Sequence, residues 1–165
     1  MIVAEGLSRP ALRRKLRHAR RQLTPAQRRL AARRLYRQLA QHPRFRRARH
    51  IALYLPNDGE IDPRLLLQAA QRRGKATYLP VLNPWPRTRM VFQRIEPGEQ
   101  LRRNRFGILE PVIRTARQRR VWALDLLLMP LVGFDGKGGR LGMGGGFYDR
   151  SLAYRAMRKK SHKPT

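Results

Sequence analysis

The chain contains no cysteine and very little acid: ten Asp and Glu stand against 38 Lys and Arg. Without thiols, disulfides and thiolate-bound metals are excluded. No apolar run approaches the roughly 20 residues of a helical membrane span. Nothing near Met1 pairs a basic head with the apolar core of a secretory signal. These absences point to a soluble, cytoplasmic protein with no membrane partner. Aromatic residues are sparse, and no aromatic RNA-binding pattern or zinc-ligand spacing occurs. His18, His42, His50 and His162 have neither metal nor triad spacing and receive no role. There is no G-x-x-x-x-G-K-[ST] and no G-x-G-x-x-G in any register, so P-loop and dinucleotide-fold enzymes are excluded as well.

What is present is positive charge. The formal net charge is +28, and arginine supplies 32 of the 38 basic residues. Residues 1–50 hold 16 basic side chains and one acid, Glu5. Such a surface attracts polyanions, nucleic acid or acidic lipid, yet it is also what arginine-rich codon usage would spread over an ordinary enzyme. Charge alone supports only non-specific association. The hydrophobic fraction of 41% over 165 residues is enough for one domain with a sizeable core.

Periodicity gives the organisation. Leu12, Leu16, Ala19 and Leu23 recur at helical spacing. Thr24-Pro25-Ala26-Gln27 reads as a capped second helix with Ala31, Leu35 and Leu39 on its apolar stripe, ended by His42-Pro43. A buried strand is expected over residues 51–55, a helix from the Asp62-Pro63 cap to Gly74, and a strand over 76–79. This strand–helix–strand unit implies parallel pairing. Residues 83–89, with Trp85 between Pro84 and Pro86, read as a loop, and 90–95 as an edge strand. Residues 96–120 read as irregular, 124–129 as the most buried strand, and 148–157 as a helix. The expected fold is α/β: a single three-layer domain over residues 1–158, with a mostly parallel central sheet flanked by helices. Residues 159–165 would form a basic, disordered tail.

Three stretches carry candidate chemistry. "RLGMGGGFYDR", residues 140–150, lies after the expected buried strand and before a helix. Glycines there let backbone N–H groups converge on phosphate oxygens beside a helix N-terminus. Arg140 supplies charge, and Asp149 is a carboxylate suited to Mg²⁺. The competing reading is a surface turn with a capping aspartate. Arg9, Arg13, Arg17 and Arg20 share one helical face, the spacing of a polyphosphate clamp and equally of a solvated face. "NDGEID", residues 57–62, offers Glu60 to a polar ring or amine, or simply forms a turn, with Asp62 as helix cap. Trp85, Phe92, Phe106 and Phe147 are placed to stack on a flat heterocycle or to pack a core.

Taken together, these stretches resemble the 5-formyltetrahydrofolate cyclo-ligase family. The likeness runs from about residue 9 to residue 152. It is carried by "MPLVGFDGKGGRLGMGGGFYDR", by "NDGEID", by the basic element Arg9-Pro10-Ala11-Leu12-Arg13, and by "YLPVL" and "FGILEP" in order between them. The resemblance implies an ATP- and Mg²⁺-dependent conversion of 5-formyltetrahydrofolate to 5,10-methenyltetrahydrofolate, with release of ADP and phosphate. Residue by residue, it implies ATP contacts from Arg9, Arg13 and Arg140, and from Leu141, Gly142, Met143, Gly144, Gly145, Gly146, Phe147 and Tyr148. Arg140 would be catalytic and Asp149 the metal ligand. Folate contacts would come from Leu55, Glu60, Phe106, Met143, Gly144, Gly145, Gly146 and Phe147. Family members continue past the Tyr-Asp helix, where this chain has "MRKKSHKPT". The expectation is therefore a shortened form, a monomer or weak homo-oligomer. The alternative is an impaired enzyme acting as a basic nucleic-acid-binding or regulatory protein.

Overall fold

The protein is described by a computed structural model that covers residues 6–83 and 90–160, the side chains of 154–160 excepted. The expected loop at 83–89, with Trp85, lies almost wholly outside the described residues, as does the tail beyond Lys160. Helix α1 (Arg9–Arg21) starts where Ser8 accepts from the Ala11 amide, with Pro10 in the first turn. Helix α2 (Pro25–Ala40) has the expected capping box. Thr24 Oγ1 accepts from the Gln27 amide at 3.2 Å, and Gln27 Oε1 accepts from the Thr24 amide at 2.8 Å. His42-Pro43 does more than end α2. Proline's fixed φ suits a first helical turn, and Pro43 opens a short helix α3 (Pro43–Arg47).

The chain then forms β1 (His50–Ala52), α4 (Arg64–Arg72) and β2 (Ala76–Leu82). β1 and β2 pair in parallel, as the strand–helix–strand reading requires. The N-cap of α4 is Pro63 and not the expected Asp62, which precedes it and closes the turn with its Oδ1 accepting from the Arg64 amide at 2.9 Å. β3 (Met90–Ile95) pairs antiparallel with β2 over six residue pairs, Thr77↔Ile95 to Leu82↔Met90. After a hairpin of β4 (Leu101–Arg103) and β5 (Leu109–Pro111), β6 (Gln118–Arg119) pairs antiparallel with β3. β7 (Leu126–Leu127) pairs in parallel with β1. A second hairpin, β8 (Gly133–Phe134) and β9 (Arg140–Leu141), leads to α5 (Phe147–Lys160).

The sheet order is β6-β3-β2-β1-β7. It is mixed, not mostly parallel. Residues 83–89 are too few to carry the chain back for a parallel strand, so β3 returns antiparallel. Nor is β3 an edge strand, because β6 covers its outer side. Phe92 and Gln93 are both fully buried there. The Gln93 amide is satisfied by Val112 O and the Arg114 N–H, as a buried polar group must be. The 124–129 run yields only a two-residue, half-buried strand, and among the described residues β7 pairs only with β1.

Alternation along β1 divides the core. Ile51 and Leu53 face Ala40, Phe45, Ala48, Leu66 and Ala70 beneath α2, α3 and α4. Ala52 faces Tyr78, Phe92 and Leu124, where Tyr148 of α5 packs. Helix α1 has no buried residue at all. Ala19 and Leu23, expected on its apolar face, are exposed. Leu12 and Leu16 are only half-buried, so apolar burial alone does not hold the helix in place. Among the described residues, no helix is long and apolar enough to cross a membrane. The capping box makes one stability expectation direct: Thr24→Ala should lower the urea-unfolding free energy by about 1 kcal/mol without changing the m-value.

Candidate functional site

The chain leaving β1 runs to the turn at residues 57–60. Asp58 and Gly59 both adopt left-handed backbone there, φ +51° and +78°. Aspartate tolerates that region better than most side-chain-bearing residues. A Cβ on Gly59 would lie 3.5 Å from the Arg20 carbonyl, so the turn rests directly on the backbone of α1. Three arginines of α1 grip the Asp58 carboxylate: Arg17 Nε at 2.7 Å, Arg20 Nη2 at 3.0 Å, and Arg21 Nε. Arg20 Nε also donates to the Asp58 carbonyl at 2.9 Å. Burial opposes ionisation of Asp58, but the hydrogen bonds from Arg21, Arg17 and Arg20 outweigh it and hold the carboxyl down at about 2.

Arg20 reaches further. Its Nη1 lies 3.4 Å from the Leu131 carbonyl, beyond β7, and 3.8 Å from Glu60 Oε1. The Glu60 side chain is only 7% exposed, and its Oε2 accepts from the Asn57 amide at 3.0 Å. Burial raises its pKa, against the lowering effects of the Asn57 amide and Arg20. Two phenols share this environment. Burial, then Glu60, pushes Tyr54 up to about 12, and burial raises Tyr148 in the same direction.

The glycine segment is the other half of the site. Asp135 folds the β8–β9 turn by accepting from the Lys137 and Gly139 amides at 2.9 and 2.7 Å. Gly133 lies against α1, where a Cβ would sit 2.6 Å from Leu16 Cδ1. Beyond β9, Arg13 Nε donates to the Gly142 carbonyl at 2.8 Å. Its guanidinium lies under Gly144, which has φ +101°. Arg140 and Asp149 form an ion pair across the loop. Arg150 Nη2 donates to the Gly145 carbonyl at 2.7 Å, and its guanidinium stands 5.0 Å over the Phe147 ring. Phe106 meets Phe147 edge to face at 6.2 Å between centroids. Met143, Gly144 and Gly145 are exposed, and the space beside Gly142 is open.

The structure thus brings together Arg13, Arg140, Asp149 and the 141–148 segment, and sets Phe106 on Phe147. Glu60 joins them through Arg20, which also reaches the chain leading into β8. Leu55 is half-buried at the end of the β1 segment. Arg9 is exposed, with no ion pair or hydrogen bond from its guanidinium among the described residues. The clasp on Asp58 was not read from the sequence, although its signal was present: an arginine face on α1 and a turn carrying an acid. Arg150 was also missed. The arginine stripe is therefore neither a bare solvated face nor wholly a free phosphate clamp, because Arg17 and Arg20 are committed to protein acceptors. Among the described residues, no group of three or more His, Asp or Glu could enclose a metal. Asp149, 72% exposed in its side chain, fits a cation that takes one carboxylate and completes its shell with phosphate oxygens and water.

Comparison with known proteins gives the family. Residues 6–165 match the family model described as the 5-formyltetrahydrofolate cyclo-ligase family. A 5-formyltetrahydrofolate cyclo-ligase of Haemophilus influenzae is 47% identical over 107 residues, covering 65% of this chain and 57% of that protein. That of Escherichia coli K12 is 39% identical over 137 residues, covering 83% and 75%. The solved structure of Aquifex aeolicus 5,10-methenyltetrahydrofolate synthetase superposes with a TM-score of 0.77 at 31% identity, over 89% of this chain and 73% of that one.

The clasp has a pH signature. A depressed carboxyl stabilises the fold fully above its unfolded value near ~3.9, and that stabilisation is lost as pH falls through about 2. Asp58→Asn keeps the left-handed backbone but removes the charge. At pH 7 it should cost about 1.5–3 kcal/mol of unfolding free energy. The gap from the parent should narrow between pH 5 and 2, as urea titration at each pH will read.

Proposed function

The chain belongs to the 5-formyltetrahydrofolate cyclo-ligase family, and on that premise we propose that it converts 5-formyltetrahydrofolate and ATP to 5,10-methenyltetrahydrofolate, ADP and phosphate. The observation that carries this reading is the convergence of Arg13, Arg140 and Asp149 on a glycine loop whose Met143, Gly144 and Gly145 are exposed. In the proposed reaction the formyl oxygen attacks the γ-phosphorus and ADP leaves. N10 then attacks the activated formyl carbon, the ring closes, and phosphate departs with the formyl oxygen. No side-chain nucleophile is needed. Phosphoryl transfer of this kind depends on positioning and on stabilising spread negative charge.

The residues divide that work. Arg13 and Arg140, with Arg9, face the phosphates, and the amides of 142–148 line them. Arg140 is the group on which charge stabilisation at the transferred phosphoryl rests. Asp149 would hold Mg²⁺, which neutralises phosphate charge when bound. Without substrate Arg140 and Asp149 neutralise each other, so nucleotide binding parts them and gives each its own partner. Phe106 and Phe147 offer an aromatic wall to the pterin, and Leu55 and Glu60 meet the folate from the β1 side. Glu60 is held in place by Arg20 and the Asn57 amide.

The test is the near-ultraviolet absorbance of methenyltetrahydrofolate. It should appear only with Mg-ATP and 5-formyltetrahydrofolate together. Its absence from a demonstrably folded sample overturns the proposal. Arg140→Gln and Asp149→Asn should each lower kcat about 100-fold or more at unchanged thermal midpoint. Phe106→Ala should raise KM for the folate several-fold with kcat nearly constant, the pattern of lost uniform binding.

A further inference from the structure

The parallel strands β1 and β2 start at His50 and Ala76, and beyond the other end of β1 the 57–60 turn rests on α1, which also holds the glycine loop. At the starting end is a polar cleft of about 460 Å³ lined by Gln41, Arg46, Arg73 and Lys75. Two of its three cations are fixed. Arg73 Nη1 donates to the Ala40 carbonyl at 2.9 Å, where α2 ends. Lys75 Nζ donates to the Arg46 and Ala48 carbonyls at 2.8 and 2.7 Å, where α3 ends. Both lie over the Phe45 ring, at 5.7 and 6.0 Å. The Arg46 side chain is exposed, with no partner among the described residues.

No acid lines this cleft. Residues 6–57 and 63–95 contain neither Asp nor Glu, so four helices in succession supply cations and no counter-charge. Asp125, the carboxylate acting on Lys75, already accepts from the Arg49 and His50 amides, both at 2.8 Å. Burial, then the Arg73 charge, weighs against the Lys75 ammonium, and Asp125 offsets this only in part, so the fold holds like charges together without full internal compensation.

We propose that this end of the molecule docks the phosphodiester backbone of a nucleic acid, with one phosphate seated between Arg46, Arg73 and Lys75. Guanidinium forks and an ammonium in a polar cleft match phosphate oxygens. The field is larger than one ion requires, because the exposed Arg37, Arg44, Arg47 and Arg72 extend it along the ends of α2, α3 and α4. That extent favours a polymer of phosphates. A bilayer is disfavoured because no large exposed hydrophobic side chain lies among residues 37–49 or 66–78 to enter it. The contacts face a backbone, so binding is independent of base sequence.

The test is fluorescence anisotropy of a labelled oligouridylate of about 20 nucleotides against KCl concentration, with the full chain. The parent should bind saturably at about 100 mM KCl, with log K falling about 0.7 per phosphate neutralised. Arg46→Gln/Arg73→Gln should weaken binding at least about fivefold and flatten the slope by about 1.4, two contacts' worth. Arg102→Gln/Arg103→Gln removes the same charge from the β4–β5 hairpin and should change affinity less than about twofold. Because Arg73 also braces α2, Arg46→Gln alone serves as the variant that spares every internal hydrogen bond, with half the slope change. Equal effects of the two double variants, binding to anionic vesicles but not to the oligonucleotide, or no saturable binding would each overturn the proposal.

Discussion

One carboxylate in a basic helix's path holds the site together. Helix α1 buries no side chain, so it cannot be positioned by the core in the way α2 and α4 are. Its position comes from Asp58, which takes charge-assisted hydrogen bonds from Arg17, Arg20 and Arg21. Single surface ion pairs contribute little, but this is a converging set on a carboxylate 14% exposed, backed by a backbone bond from Arg20. Once α1 is seated on the turn, the same helix presents Arg13 to Gly142 and Leu16 to Gly133. Two chain segments about eighty residues apart in sequence are thereby brought to one place.

This explains why an abundance of arginine coexists with an ordered site. The cations with structural work are those that find one of the ten acids or a backbone carbonyl. Asp58 engages three, Asp149 engages Arg140, and the ends of α2 and α3 engage Arg73 and Lys75. The two ends of β1 and β2 differ accordingly. At the loop end, arginines meet carboxylates and backbone acceptors within the protein. At the starting end, no acid lines the cleft that Arg46, Arg73 and Lys75 share, and Asp125 nearby is already engaged by two backbone amides.

Local features were legible in the sequence where the chain itself encodes them. The Thr24–Gln27 capping box and the parallel β1–α4–β2 unit depend on signals encoded locally along the chain. What depends on long-range pairing was less legible. The run at 124–129 looks like the most buried strand because five of its six residues are apolar, yet only Leu126 and Leu127 pair, with β1 alone among the described residues. β3 looks like an edge strand by alternation, but two residues near Arg119 cover it. In the site, Arg13, Arg140, Asp149 and Phe106 are found beside the loop because motif order reflects the fold. The Asp58 clasp escaped because an arginine face reads as solvated until the turn that lies on it is known.

The most direct test of this account is amide hydrogen exchange on the Arg20→Gln variant, compared with the parent residue by residue. If α1 joins the two halves, exchange should quicken at the Glu60 amide, which bonds to Asn57 in the 57–60 turn, and also at the Arg150 amide, which bonds to Gly146 at the end of the glycine loop. Faster exchange confined to the turn, with the Arg150 amide unchanged, would contradict the claim that one helix positions both.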